Sequence, residues 1–209
     1  MVLAATLTCA APPAFPQELS HAQAVADLSR AEPEKRARAL VWLAERGSMA
    51  DQPMLLRGLR DEEPLLRQLA EQALWTLWSR SGDAEADRRL AAGVEEMRAA
   101  RLEEAIADFS AAILRRPGFA EGWNKRATAY FLAGDYERSL ADCAEVLKRN
   151  PSHFGALSGE GQIYFRLEQY DKALARWRRA LEVNPNMDGV RANIEAVEAL
   201  LRERRAKTI

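Results

Sequence analysis

Three prolines, Pro117, Pro151 and Pro185, lie 34 residues apart, and each closes an amphipathic run. Proline has no N–H to donate and restricts the residue before it, so each of these positions stops a helix. The same step relates Ala105, Ser139 and Ala173, then Phe109, Cys143 and Trp177, then Ala112, Val146 and Ala180. It also relates the small residues Gly93, Ala127 and Gly161, and, at the start of each second helix, Leu102, Tyr136 and Tyr170. A period of this size marks a supersecondary unit that cannot cover its own apolar face and must stack on its neighbours. The expected fold is therefore all-α, a solenoid of antiparallel helix pairs. Its small residues should sit where helices cross closely, and its aromatics between neighbouring pairs. Ala, Leu, Arg and Glu dominate, and no segment shows the β-branched alternation of a strand.

Two segments carry a family likeness. Trp123, Tyr130, Tyr136 and Pro151, and Gly161, Tyr164, Tyr170, Ala173, Trp177, Ala180 and Pro185, resemble the tetratricopeptide repeat motif. The likeness covers about 100 of the 209 residues and implies a right-handed α-solenoid with three units over 84–187. The first unit, from about Ala86 to Arg116, keeps Gly93, Ala105, Phe109, Ala112 and Pro117. It has Arg89 and Glu96 where the family prefers large aromatics, which suits an exposed edge or a junction with a different preceding helix. Over 188–209, Val190, Ile194, Val197 and Leu201 form one apolar stripe, as a helix capping the last face of a stack should. Arg202, Arg204, Arg205 and Lys207 end that helix and read as a solvated last turn favoured by the helix dipole.

Residues 17–80 hold a weaker repeat. Glu32-Pro33, Arg36 and Ala39 recur 31 residues later as Glu63-Pro64, Arg67 and Ala70, with Leu28/Leu59 before them and Leu43/Leu74 after. This spacing resembles HEAT-type helical repeats and gives helices at about 17–30, 33–46, 50–59 and 63–80, with Gly47 and Gly82 as stops. Trp42, Trp75 and Trp78 are expected in inter-helix packing. The short turn at 79–83, with Asp83 as helix cap, predicts continuous stacking between the two halves.

Charge excludes some partners. Lys and Arg number 30 against 31 Asp and Glu, with 9 basic and 10 acidic side chains before residue 81, so no field draws the chain to nucleic acid. No run approaches the roughly 18 apolar residues of a membrane span. Residues 1–16, beginning MVLAATLTCAAPPA, read either as a truncated export signal or as an N-terminal arm; they lack a positive n-region, and Thr8 before Cys9 departs from the lipoprotein pattern. The compartment is periplasmic or secreted on the first reading and cytoplasmic on the second.

Catalytic chemistry finds no constellation. Cys9, Cys143, His21 and His153 do not make a zinc site by spacing, and Cys143 falls on a core stripe. Phosphate loops, nucleophile elbows and His-Glu-x-x-His are missing from the sequence. The Gly-dense run Gly155 to Gly161 lies in a helix, where Gly155 and Gly159 should line the inner face. No catalytic, cofactor-binding or metal-binding residue is expected, and the chain reads as a non-catalytic adaptor or scaffold.

The resemblance places a concave groove on the first helix of each unit. By register it should present Leu90, Val94, Met97 and Arg98, then Asn124, Lys125, Thr128 and Phe131, then Ser158, Gln162, Phe165 and Arg166. Family members that hold the carboxylate of chaperone tails use a Lys/Asn/Arg clamp. Here Leu90 and Val94 stand at its first-unit positions, Lys125 at the second, and Gly155 and Gly159 at the third, so that ligand class is not expected. The expected partner is a protein or peptide segment with apolar anchors. The alternatives are a self-associating structural module, an accessory subunit of a cell-envelope complex, and a groove filled by the protein's own N-terminal segment.

Overall fold

The structure, a computed structural model, describes residues 19–207. The expectations for residues 1–16, including the export signal and Cys9, lie outside the described residues. Eleven α-helices are present among those described, with no strand: α1 His21–Asp27, α2 Pro33–Arg46, α3 Gln52–Gly58, α4 Pro64–Trp78, α5 Ala84–Arg98, α6 Leu102–Arg115, α7 Ala120–Leu132, α8 Tyr136–Arg149, α9 Phe154–Arg166, α10 Tyr170–Val183 and α11 Asp188–Lys207. A 3-10 turn, Met49–Asp51, leads into α3. None of the described helices is long and apolar enough to cross a membrane.

Local chemistry sets the helix ends. Pro33 and Pro64 open α2 and α4, where a missing N–H costs nothing. Asp83 caps α5 by accepting from the backbone N–H groups of Glu85 and Ala86, and Asp135 caps α8 through Arg138 N–H. Helices α6, α8 and α10 end on Arg116, Asn150 and Asn184, each held extended by the proline after it. The first helix of each unit ends on a left-handed residue: Ala100 (φ 59°), Gly134 (φ 79°) and Glu168 (φ 56°). In all three the next N–H bonds back to the carbonyl five residues earlier, Arg101 to Glu96, Asp135 to Tyr130 and Gln169 to Tyr164, as helix-ending turns of this kind require.

The pairs α5/α6, α7/α8 and α9/α10 stack in order, and α11 closes the last. Glycines allow the crossings. A Cβ on Gly93 would meet the Phe109 ring at 2.6 Å, and one on Gly161 would meet Trp177 at 2.3 Å. Ala173, Trp177, Val190, Ile194 and Val197 bury together between α10 and α11, so the cap covers an apolar face that would otherwise meet water. Charge also follows the period. Arg126 on α7 holds Asp142 on α8 through two bonds of 2.8 and 2.9 Å. One unit later the signs are exchanged, with Arg176 on α10 against Glu160 on α9 at 2.9 Å.

Helices α1–α4 form a core of their own around Leu40, Leu43, Leu55, Leu59 and Leu74. The 31-residue repeat is visible in its arginines. Arg36 donates to the carbonyls of Arg30 and Ala31, and Arg67 to those of Asp61 and Glu62, at the same sequence offsets. Arg36 adds a two-bond contact to Asp61, at 2.9 and 3.0 Å.

The expectation of continuous stacking across 79–83 is corrected. Helix α4 packs on α2 and α3, and α5 packs on α6 and α7. The chain instead folds back, so that Phe154, the first residue of α9, is fully buried in the core of α1–α4, with Val183 and Met187 against it. Main-chain contacts hold this arrangement. Asn186 donates to Leu59 O at 2.8 Å, and Arg60 bonds the carbonyls of Glu182 and Val183.

Candidate functional site

The first helices of the second and third units, α7 and α9, run side by side over α8 and enclose a cleft of about 160 Å³. Six of the sequence-expected residues line it: Asn124, Thr128 and Phe131 from α7 and Gly155, Gly159 and Gln162 from α9. Ala127, Ser139, Cys143 and Ile163 complete the wall. Gly159 gives the cleft its room, since a Cβ there would meet only Cys143 Sγ, at 3.9 Å. Thr128 is exposed and hydrogen-bonds Asn124 O at 3.0 Å. Phe131 is half-buried, its ring 5.7 Å from that of Tyr136.

The other expected residues lie elsewhere. Leu90 is 6 % exposed and packs with Phe109 and Phe119, so it belongs to the core of the first unit and does not face a groove. Val94 and Met97 are half-buried against the same cluster. Phe165 packs between Tyr170 and Trp177, each ring 5.9 Å away, in the cluster that α11 covers. Arg98 is exposed beside Glu95, and Arg166 is exposed at the end of α9. Ser158 is half-buried, and its carbonyl accepts Trp177 Nε1–H at 3.2 Å.

One wall of the site was invisible in the repeat register. Trp75 of α4 lies against Gly155, where a Cβ would stand 2.5 Å from the indole. The Lys125 ammonium lies 5.9 Å from the Trp75 ring centre, and Trp78 stacks on His153 at 4.4 Å. Beneath these rings is a buried polar node. Glu121 accepts from His153 Nε2 at 2.9 Å and from Asn124 Nδ2 at 3.1 Å, and pairs as an ion with Lys125 Nζ at 3.1 Å. His153 Nδ1 accepts the N–H of Ala156, so its proton sits on Nε2 and points at the carboxylate. Burial works to raise the Glu121 carboxyl; the His153 hydrogen bond and the Lys125 charge outweigh it and hold the group below its ordinary value.

Cys143 lies at the bottom of the cleft and is 3 % exposed. Burial, with Glu160 and Asp142 nearby, pushes its thiol up to about 12, so it is protonated at neutral pH and is no nucleophile. No group of three or more side chains capable of holding a metal occurs among the described residues.

Residues 90–154 and 154–187 each match a family model described as tetratricopeptide repeat. No curated protein matches the chain. Solved structures of similar fold include the first TPR of Spaghetti (RPAP3) bound to the HSP90 peptide SRMEEVD, at 23 % identity and TM-score 0.55, covering 56 % of this chain and 94 % of that one. The Sgt2 TPR domain from Aspergillus fumigatus aligns at 21 % identity and TM-score 0.56, covering 59 % and 83 %. The TPR2B domain of yeast Sti1, in a complex with pHsp70, aligns at 19 % and 0.53, covering 56 % and 99 %. The 34-residue unit, its glycine crossings and its matching helix ends agree with these matches: residues 90–187 form a tetratricopeptide repeat region.

Proposed function

We propose that this chain is a protein-interaction adaptor that takes an extended segment of a partner along the cleft between α7 and α9. The observation that carries this reading is the cleft's lining: the Phe131 ring flanked by Thr128, Asn124 and Gln162, with Gly159 leaving space. An apolar anchor with hydrogen-bonding side chains around it is what a peptide segment needs. In this reading residues 84–187 are three stacked units and 188–209 their cap, while the block over 17–80 closes one end of the binding surface.

The similar domains of Spaghetti and Sti1 are described with an HSP90 peptide and with pHsp70. The same acidic tail is not the ligand proposed here. At the positions where the family clamps that carboxylate, this chain has Leu90, Val94, Lys125, Gly155 and Gly159, and the Trp75 indole lies over Gly155. Lys125 is engaged with Glu121. The partner segment is instead one with an aromatic or aliphatic anchor.

A displayed peptide library selected against the full chain tests the reading. Enriched segments should share an apolar anchor. Thr128→Arg, which adds bulk and charge at an exposed position of the cleft mouth, should weaken them tenfold or more. Selected peptides that bind the Thr128→Arg protein as well as the parent would place binding elsewhere.

A further inference from the structure

We propose that the corner between α4 and the α6–α7 turn is a second binding site, for a phosphate monoester carried on an apolar body. The corner is a cleft of about 550 Å³, and four arginines line it: Arg80 after α4, Arg115 and Arg116 ending α6, and Arg149 ending α8. Among the described residues no aspartate or glutamate lines it, although acidic side chains (31) match basic ones (30) in the chain as a whole. Arg80 is held by the carbonyls of Glu45 and Gly47, at 2.6 and 2.7 Å, which fixes its guanidinium without neutralising it. Arg115 meets Asp83 through Nε alone, and Arg149 meets the carboxylate and carbonyl of Glu145 through Nη1 and Pro117 O through Nε. Arg116 is exposed and has no ion-pair partner among the described residues.

Two further features point at an oxyanion. Helix α7 begins at this cleft, with Phe119 as its N-cap and no side chain accepting from its first-turn N–H groups. Such an end carries partial positive charge and open donors. Asn150, only 2 % exposed, lines the same cleft. Its Oδ1 accepts from Gln52 Nε2 and Ser152 N–H, while its Nδ2 has no partner. That donor is sealed from solvent, so an anion in the cleft would answer it only if the Asn150 side chain turned toward the cleft.

The equivalent Asn184, one unit on, also has an unpartnered Nδ2. There, however, α3 and α4 close over the turn through Asn186, Leu59 and Arg60. The N-terminal helices cover the turns at 150–153 and 184–187 and leave the one at 116–119 bordering open space. The anion is a phosphate and not a carboxylate because a dianion with three outer oxygens can meet several arginines and a helix end together. A bare phosphate would leave most of the volume empty, and Trp78, Phe119 and Met49 supply apolar lining for an attached body.

The test is titration of the full chain with phenyl phosphate, followed at the Trp78 indole N–H by NMR, with phenol and inorganic phosphate in parallel. Phenyl phosphate should bind at least tenfold tighter than phenol, and Arg116→Gln should weaken it about tenfold, as loss of one charge-assisted bond predicts. Arg116 is exposed, so melting of the variant should be unchanged. A phosphotyrosine pentapeptide identifies the source. Tighter binding than phenyl phosphate assigns a modified protein side chain, equal binding assigns a small organic phosphate, and both support the site. Equal affinity for phenol and phenyl phosphate, or affinity unchanged in both Arg116→Gln and Arg116→Glu, overturns it.

Discussion

Trp75 of α4 and Gly155 of α9 are a matched pair: the indole lies where any side chain at position 155 would have to go, 2.5 Å from a built Cβ. The N-terminal helices dock on the repeat stack because α9 opens with a residue that leaves that space. Phe154 beside it buries completely in the N-terminal core, and His153 before it stacks on Trp78. Three successive residues at one helix start therefore join the two halves.

Gly155→Leu should break this docking. Forcing bulk into a packed contact costs roughly 1–3 kcal/mol, and here it must displace the Trp75 indole and crowd the His153 ring. Chemical denaturation should show the loss, with a change in tryptophan fluorescence before the main transition. Gly189→Ala is the control, since nothing lies within 4 Å of a Cβ there and alanine favours the helix. A Gly155→Leu protein as stable as the parent would falsify the docking argument.

The left-handed helix ends give a prediction of opposite sign. Ala100 holds φ 59° where the second unit has Gly134 at 79°. A side chain in this region costs on the order of 1 kcal/mol. Ala100→Gly should therefore raise the melting midpoint, offset in part by the greater freedom glycine gives the unfolded chain. A lowered midpoint would mean that Ala100 makes a compensating contact.

The 34-residue series made the helix pairs, their crossings and the cap legible, because one side-chain pattern repeats wherever one environment repeats. Gly161 under Trp177 follows from that logic alone. The fold-back did not. Trp75 and Trp78 have helical spacing within α4, and nothing local says whether such a stripe faces its own block or another. The shortness of the turn at 79–83 limits separation and so suggests a continuing stack, yet a short turn does not fix direction. Leu90 was misassigned for a related reason. Register places a residue on a helix face, but the first unit's partner on that side is the Phe109–Phe119 cluster and not open solvent. Sequence signals for the closing wall did exist, in glycine at 155 and 159 where the family's binding residues stand.

Two buried glutamates should respond oppositely to pH. Glu121 is held below the ordinary glutamate value of 4.5, because His153 and Lys125 outweigh the burial that would raise it. Its contribution to stability is present above that value and is lost as pH falls through the depressed one. Glu160 is raised above 4.5 by burial, with Arg176 only partly opposing, so the folded state keeps its proton longer than the unfolded state. Its ionisation therefore costs stability as pH rises from 4.5 through the raised value. Glu121→Gln should lower stability at neutral pH, since it removes the charge that Lys125 pairs with and that His153 donates to, and the cost should shrink in acid. Glu160→Gln should be neutral or stabilising at pH 7, with that gain vanishing below pH 4.5. Denaturation midpoints between pH 3 and 8 give both slopes, and parallel curves for the two variants would contradict the assignment.

Phe131 and Phe165 separate binding from packing. They stand one repeat apart and look equivalent in sequence, as does Met97 one repeat earlier. In the fold they are not equivalent. Phe131 lines the α7–α9 cleft, with Tyr136 on one side. Phe165 is wedged between Tyr170 and Trp177 in the cluster covered by α11, and Trp177 there is 1 % exposed. Phe165→Ala should therefore act on stability, losing roughly 2–4 kcal/mol as a partly relaxed core deletion, and should affect selected peptides only through folding. Phe131→Ala should lower stability less, because the ring borders the cleft and packs on one aromatic neighbour where Phe165 has two, and should weaken peptide binding by about 2 kcal/mol as loss of an aromatic anchor. Melting curves and peptide titrations on both variants decide the matter. Equal stability losses with no specific binding defect in Phe131→Ala would make that ring a packing residue and leave the cleft without its anchor.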